Sequence, residues 1–306
     1  MLSWQDESGW MPMAEDDQVA RDIGRRLAEG CVREREAAAA EHGLVALGGP
    51  PRGILVAEGD SWFDYPGGDI LSALVDRHGW DVRSAAHRGD NLESMAYDAS
   101  QLDGLLRLFE ILDRREERPA AVLLSGGGND LAGPELSMAL EHVASGAPLV
   151  NDTVLRELVD KRLRHALVSL VEAVQTLALA RFGSRLPIVM HGYGYPVPDG
   201  RGFSVLGGWG PIPGPWLEPS FARKGEGSLD KRKVAMREIV GRFDAMLLEV
   251  ADDPAMADFH VVDVTAVLSS GDDYRTWWAN ELHPTPRGFH AVTDRIAAAI
   301  DLAIGG

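Results

Sequence analysis

Cysteine is almost missing from this 306-residue chain. Cys31 stands alone, which excludes an intrachain disulfide; it lies among helix formers and reads as packing, not chemistry. Basic charge is scarce too. Thirty Lys and Arg face 47 Asp and Glu, a formal net charge of −17, and no Lys/Arg-rich patch offsets it. Such a field repels nucleic acid and anionic membrane, so neither is expected as a partner; simple solubility accounts for the acidity. The opening MLSWQDESGWMPMAEDD has no basic start and no apolar run, so no secretion signal is expected. Nor is any segment expected to approach the apolar length of a membrane span. A soluble, cytoplasmic protein is the resulting expectation. Hydrophobic content of 45% is ordinary for a chain that buries a core, and the length allows one large domain or two small ones.

Residues 16–42 read as one helix. Val19, Ile23, Leu27 and Cys31 recur every fourth position, and REREAAAAE continues with strong helix formers. GLVALGGPPRG is then a turn-rich joint, so residues 1–50 read as a helical extension of a domain at 51–306. Within that domain strands and helices alternate. Strands are expected at 53–57, 80–85, 120–125, 186–191 and 259–264, several of them Val/Ile/Leu runs without polar alternation, as suits strands covered on both faces. Helices are expected near 69–78, 91–113, 154–182, 228–251 and 286–304. This order predicts an α/β fold, a parallel sheet with helices on both sides. Residues 192–227 break the rhythm. They are dense in Gly and Pro and carry Tyr193, Tyr195, Trp209 and Trp216. So long a loop is unusual in a compact domain and is often functional, and large aromatics argue against a disordered linker.

Ligands of open α/β sheets bind beyond the carboxyl ends of the strands, so the residues following each strand are the ones to inspect. They include Gly59-Asp60-Ser61, Gly89 in AAHRGDN, Asn129 and Asp130 in SGGGNDLAG, and His283 in WWANELHPTPRGF. Together these are the parts of an acyl-transfer site. Ser61 is a candidate nucleophile that needs a base, and His283 can take its proton and return it to the leaving group. The Asn129 amide and the backbone N–H groups of Ser61 and Gly89 can serve an oxyanion. Taken singly the same residues are bland. Gly-Asp-Ser reads as a turn or cap, Asp60 and Asp64 as turn residues, and Asp130 as a brace for the Asn129 loop. His87 and His191 read as residues that satisfy backbone or line a pocket.

The four blocks in order resemble the SGNH (GDSL-type) hydrolase superfamily, with Ser61 in EGDSW, Gly89 in HRGDN, Asn129 in GGGND and His283 in NELHP. The resemblance spans residues 53–304. It implies a three-layer α/β/α fold resembling flavodoxin, with a five-stranded parallel sheet. It also implies hydrolysis of esters or thioesters by a serine nucleophile, with a small-molecule ester as partner and no metal or organic cofactor. Two positions depart from the pattern. Trp62 replaces the usual leucine, and Asn280 replaces the acidic member of D-x-x-H. An amide oxygen can still accept the histidine Nδ1–H and set its tautomer, as in papain-like triads, but it brings no negative charge. Glu281 is one residue off and is expected to point elsewhere.

Other readings compete. A two-metal phosphoesterase would need histidines where Trp62 and Asp130 stand. An α/β-hydrolase would need G-x-S-x-G, and residues 202–206 offer only a near miss. A carbohydrate O-deacetylase of the same fold is a further alternative, as is a non-catalytic binding module that keeps the fold without activity, which the Asn280 departure permits. Short-chain esters, acyl-sugars, lysophospholipids and acyl thioesters all fit one machinery. Trp62, Tyr195, Trp209, Trp216 and Trp278 are the candidate substrate contacts, suited to apolar groups or sugar rings.

Overall fold

The computed structural model describes residues 51–203 and 214–305. The expected helical extension at 1–50, Trp209 and most of the 202–206 near miss lie outside those residues.

Five strands form the sheet: β1 (Ile54–Gly59), β2 (Asp81–Ser84), β3 (Pro119–Ser125), β4 (Ile188–His191) and β5 (Phe259–Val262). All neighbours pair in parallel, in the order β2-β1-β3-β4-β5, which is the flavodoxin-like order. Leu55 to Ala57, Ala121 to Leu123 and Ile188 to Met190 are all at most 1% exposed. These central strands are covered on both faces, so apolar runs replace alternation. Edge strand β2 is partly exposed along its length.

The helices are α1 (Ile70–His78), α2 (Leu92–Tyr97), α3 (Ala99–Asp113), α4 (Pro134–Ala139), α5 (Asp152–Arg156), α6 (Arg164–Phe182), α7 (Glu218–Arg223), α8 (Leu229–Ala251) and α9 (Pro286–Gly305). One group packs α1 on α9; the other gathers α2, α3 and α8 around α6. A single helix at 91–113 was expected, and the chain breaks there instead. Asp98 is extended (φ −83°, ψ 117°), ending α2, and its side chain caps Ser100 N to start α3. A short polar side chain that bonds its own backbone competes with helix continuation. A π-helical stretch, Glu157–Leu163, joins α5 to α6. The run 152–182 is long and apolar enough to cross a membrane by length and composition, which corrects the expectation that no segment approaches such a length. Here Leu167, Leu170, Val171 and Val174 are buried at its packed face. The Gly/Pro-rich segment 192–227 is likewise not loop throughout, since it contains α7, opened by Pro219 in its first turn.

β1 and β3 are neighbours, while the chain leaves β1 for β2 on one side and returns to β3 on the other. Ligands of such sheets bind at this switch in strand order. Ser61 follows β1 and Asn129 follows β3, so the topology alone sets both at one crevice.

Candidate active site

The turn after β1 explains its own composition. A Cβ on Gly59 would lie 2.7 Å from both Ser125 Cβ and the Ser125 carbonyl oxygen, so β3 leaves no room for a side chain there. Asp60 N donates to that carbonyl at 3.1 Å. The Asp60 carboxylate is 2% exposed; one oxygen accepts Trp62 N at 2.9 Å and Ser125 Oγ at 2.7 Å, and the other accepts the Tyr193 hydroxyl. Asp60 is thus the buried post of the turn, as expected of a turn residue. Ser61 projects from that post, and its Oγ lies 2.7 Å from Nε2 of His283, 222 residues away in sequence.

His283 is held on every side. Its Nδ1 is 3.0 Å from Asn280 Oδ1, which also accepts the backbone N–H groups of Leu282 (3.0 Å) and His283 (2.9 Å). Two backbone donors require an acceptor at that corner, so the amide oxygen belongs there and the amide nitrogen on the far side, donating to Tyr65 Oη at 3.1 Å. An amide oxygen can only accept, so Nδ1 carries the proton and Nε2 is left to accept from Ser61. The Tyr65 ring stacks on the imidazole at 4.4 Å, and Trp216 meets it edge-on at 5.5 Å. Trp62, buried, donates its indole N–H to Leu282 O at 3.0 Å, tying the serine turn to the histidine turn. Burial pushes the His283 imidazole down to about 4, since no carboxylate supports its charged form.

The oxyanion side is equally specific. Among the described residues, neither Ser61 N nor Gly89 N has a hydrogen-bond acceptor. Gly89 has φ +92° and nothing within 4 Å of where a Cβ would stand. Glycine reaches that backbone without strain and leaves the approach open. Asn129 Nδ2 gives one hydrogen to Asp90 O at 2.7 Å, which locks the Gly89 block and leaves its second hydrogen for a ligand. Asp130 braces this region as expected, its carboxylate accepting Leu92 N at 2.8 Å to start α2; burial pushes it up to about 6.

Two cavities meet at Ser61. One, about 220 Å³, is lined by Tyr65, Arg88, Gly89, Phe203, Trp216 and His283 with Ser61 and Asn129. The other, about 40 Å³, shares Ser61, Asn129 and Leu282 and is otherwise walled mainly by Trp62, Leu131, Tyr193, Leu217, Met236 and Trp278. Trp62, Trp216 and Trp278 therefore reach the site. Tyr195 lines neither cavity; its ring instead lies under the Arg237 guanidinium at 5.6 Å. Beneath the site, Ser125 and His191 are buried and off both cavities. Ser125 Oγ serves Asp60, and His191 Nδ1 faces Gly192 O at 2.6 Å. His87, expected near backbone or pocket, has an exposed side chain. Among the described residues, no group of three or more His, Cys, Asp or Glu is spaced to hold a metal ion.

Two contributors escaped sequence reasoning. Tyr65 sits four residues past the serine, where only its contacts reveal it. Glu281 does point away from His283, but not to solvent. It is fully buried, and its carboxylate accepts four backbone N–H groups: Gly200 (2.9 Å), Trp216 (2.7 Å), Leu217 (2.8 Å) and Glu218 (3.0 Å). Burial raises its carboxyl above the usual range, and the four N–H groups pull against that rise. The turn that carries the histidine thus also anchors the segment that carries Trp216.

Solved structures with a similar fold include a catalytic mutant of an acetylxylan esterase from Geobacillus stearothermophilus, 13% identical, covering 83% of this chain and 95% of that one with a TM-score of 0.41. A carbohydrate acetylesterase family member from Sinorhizobium meliloti is 13% identical, covering 83% and 100% with a TM-score of 0.46. A protein from Arabidopsis thaliana is 12% identical, covering 77% and 67% with a TM-score of 0.41. At such identities and scores these likenesses carry no functional weight. No curated protein sequence matches the chain. The sequence profile of the GDSL-like lipase/acylhydrolase family, by contrast, matches residues 53–291, more than half of the chain and all four blocks, and the chain belongs to that family.

Proposed function

We propose that the chain hydrolyses carboxylic esters or thioesters by acyl transfer through Ser61. The observation that carries this reading is the 2.7 Å contact of Ser61 Oγ with a His283 whose Nε2 is free to accept, beside two backbone N–H groups with no acceptor among the described residues.

Ser61 Oγ attacks the carbonyl carbon as its proton passes to His283 Nε2, and the carbonyl π pair moves onto oxygen. The Ser61 and Gly89 N–H groups and the Asn129 amide donate to that oxyanion. The C=O re-forms, the bond to the leaving oxygen or sulfur breaks, and Nε2 gives its proton to the leaving group. Water then repeats the sequence on the acyl-serine, with His283 taking its proton, and releases the acid and free Ser61. Asn280 keeps the ring in the Nδ1–H tautomer throughout. Because it is neutral, the imidazolium formed midway lacks a paired charge; Tyr65, stacked on the ring, offers a π face to it instead.

Ser61→Ala tests the reading. Turnover of a simple ester is expected to fall by on the order of 10⁴-fold or more with the fold intact, and a small phosphonate is expected to label the wild type at Ser61 alone. Wild-type turnover in Ser61→Ala, or activity abolished by EDTA, would overturn it and favour a metal-dependent phosphoesterase or another nucleophile.

A further inference from the structure

We infer that the two cavities at Ser61 divide the substrate, with the leaving alcohol on the His283 side and the acyl chain in the small apolar cavity, so that this enzyme takes esters of short-chain acids. This rests on the ester-hydrolase reading above.

The division follows from where the proton must go. The tetrahedral carbon on Ser61 Oγ carries three other groups: the oxyanion, the leaving oxygen and the acyl substituent. The leaving oxygen takes its proton from Nε2, so it must come within hydrogen-bond reach of His283. His283, Tyr65, Phe203 and Trp216 all line the larger cavity, and none of them lines the smaller one. The oxyanion points to Gly89, again on the larger side, and to Asn129, which borders both. Only the smaller cavity remains for the acyl substituent.

That cavity limits what fits. It measures about 40 Å³. A protein cavity of about 150 Å³ takes a benzene, or roughly 25 Å³ per carbon, so about 40 Å³ accommodates one or two carbons beyond the carbonyl. Beyond Ser61 and Asn129 at its mouth, its polar side chains are Asp60 and Tyr193, and these are already engaged, the Asp60 carboxylate accepting Trp62 N, Ser125 Oγ and the Tyr193 hydroxyl. Met236 and Val240 supply the α8 wall. They lie one helical turn apart on a single face, at 2% and 4% exposure. The larger cavity differs in kind. Tyr65, Phe203 and Trp216 offer ring faces, and the Arg88–Asp64 pair offers donors and acceptors at its rim. It suits an alcohol that is both ring-shaped and polar. Met236 is then the residue that sets acyl length.

A series of p-nitrophenyl esters from acetate to octanoate tests this. For the wild type, kcat/KM is expected to be highest for acetate or propionate and to fall by about tenfold or more per methylene beyond them. Met236→Ala is expected to move the optimum to longer chains and raise the hexanoate-to-acetate ratio by about 100-fold, with Val240→Ala moving it the same way. Trp216→Ala is expected to change the preference between an aryl and a sugar acetate without moving the acyl optimum. Labelling of Ser61 by a methylphosphonate verifies that each variant retains its site. The division is overturned if the wild type prefers octanoate, or if the Met236 and Val240 variants label normally with the wild-type chain-length profile. A wild type that neither labels nor hydrolyses any ester overturns the ester-hydrolase reading itself, and this division with it.

Discussion

Asn280 Oδ1 faces His283 Nδ1 at 3.0 Å while accepting the backbone N–H groups of residues 282 and 283. One side chain therefore shapes the turn and orients the base. It does so without a charge, and with burial this leaves the imidazole at about 4, well below the ordinary value near 6.5.

The pH profile should record that depression. His283 must be neutral to take the Ser61 proton, so activity is lost as pH falls through its pKa. The acid limb of kcat/KM is expected near pH 4, with full activity retained at pH 6. Asn280→Asp places an anion against Nδ1, favours the protonated ring and should move the limb about 1–3 pH units higher. A limb near 6.5 in the wild type, or the same limb in both proteins, would remove Asn280 from this role.

Asn129→Ala removes one oxyanion donor. A loss on the order of 100- to 1,000-fold in kcat is expected, with KM nearly constant, because the contact strengthens only as charge develops. A change confined to KM would make Asn129 a substrate anchor alone.

Glu281 should act on the substrate wall through Trp216. Glu281→Gln keeps one acceptor oxygen but offers an amide to N–H groups that need acceptors, and each buried N–H left without one costs about 1–3 kcal/mol. The expected result is a KM raised by about tenfold for bulky alcohols, equivalent to about 1.4 kcal/mol, with phosphonate labelling of Ser61 near the wild-type rate. Equal losses in labelling and in kcat would mean that Glu281 works on His283 instead.

Gly59→Ala should injure the fold before the chemistry. Its methyl would meet Ser125 at 2.7 Å. Overpacking of this kind costs about 1–3 kcal/mol, and each kcal/mol lowers Tm by about 2–4 °C in a domain of this size. An unchanged melting curve would show that β1 and β3 can move apart there.

The order of elements was readable because local composition decides it. Strands buried on both faces must be apolar along their length, as 120–124 is, and amphipathic stretches such as 229–251 declare a helix. The four blocks were readable for a related reason: a serine, a glycine, an asparagine and a histidine, each next to a strand end or a last helix, have few other uses in that order. Boundaries set by competition were not readable. Asp98 splits a helix because its carboxylate caps the next one, and composition does not say which of two hydrogen bonds wins.

The site divides in the same way. Residue types alone nominated Ser61, Gly89, Asn129 and His283. Only the folded chain decided that Asn280 turns its oxygen to the ring, that Tyr65 stacks on it, that Tyr195 stays outside both cavities, and that Glu281 binds four distant N–H groups. Those contacts join residues up to 218 positions apart, Tyr65 and His283. Sequence carries the chemical capacity of each side chain, but which partner it meets is fixed by packing over the whole domain, where a buried donor or acceptor left alone costs more than any local preference can offset.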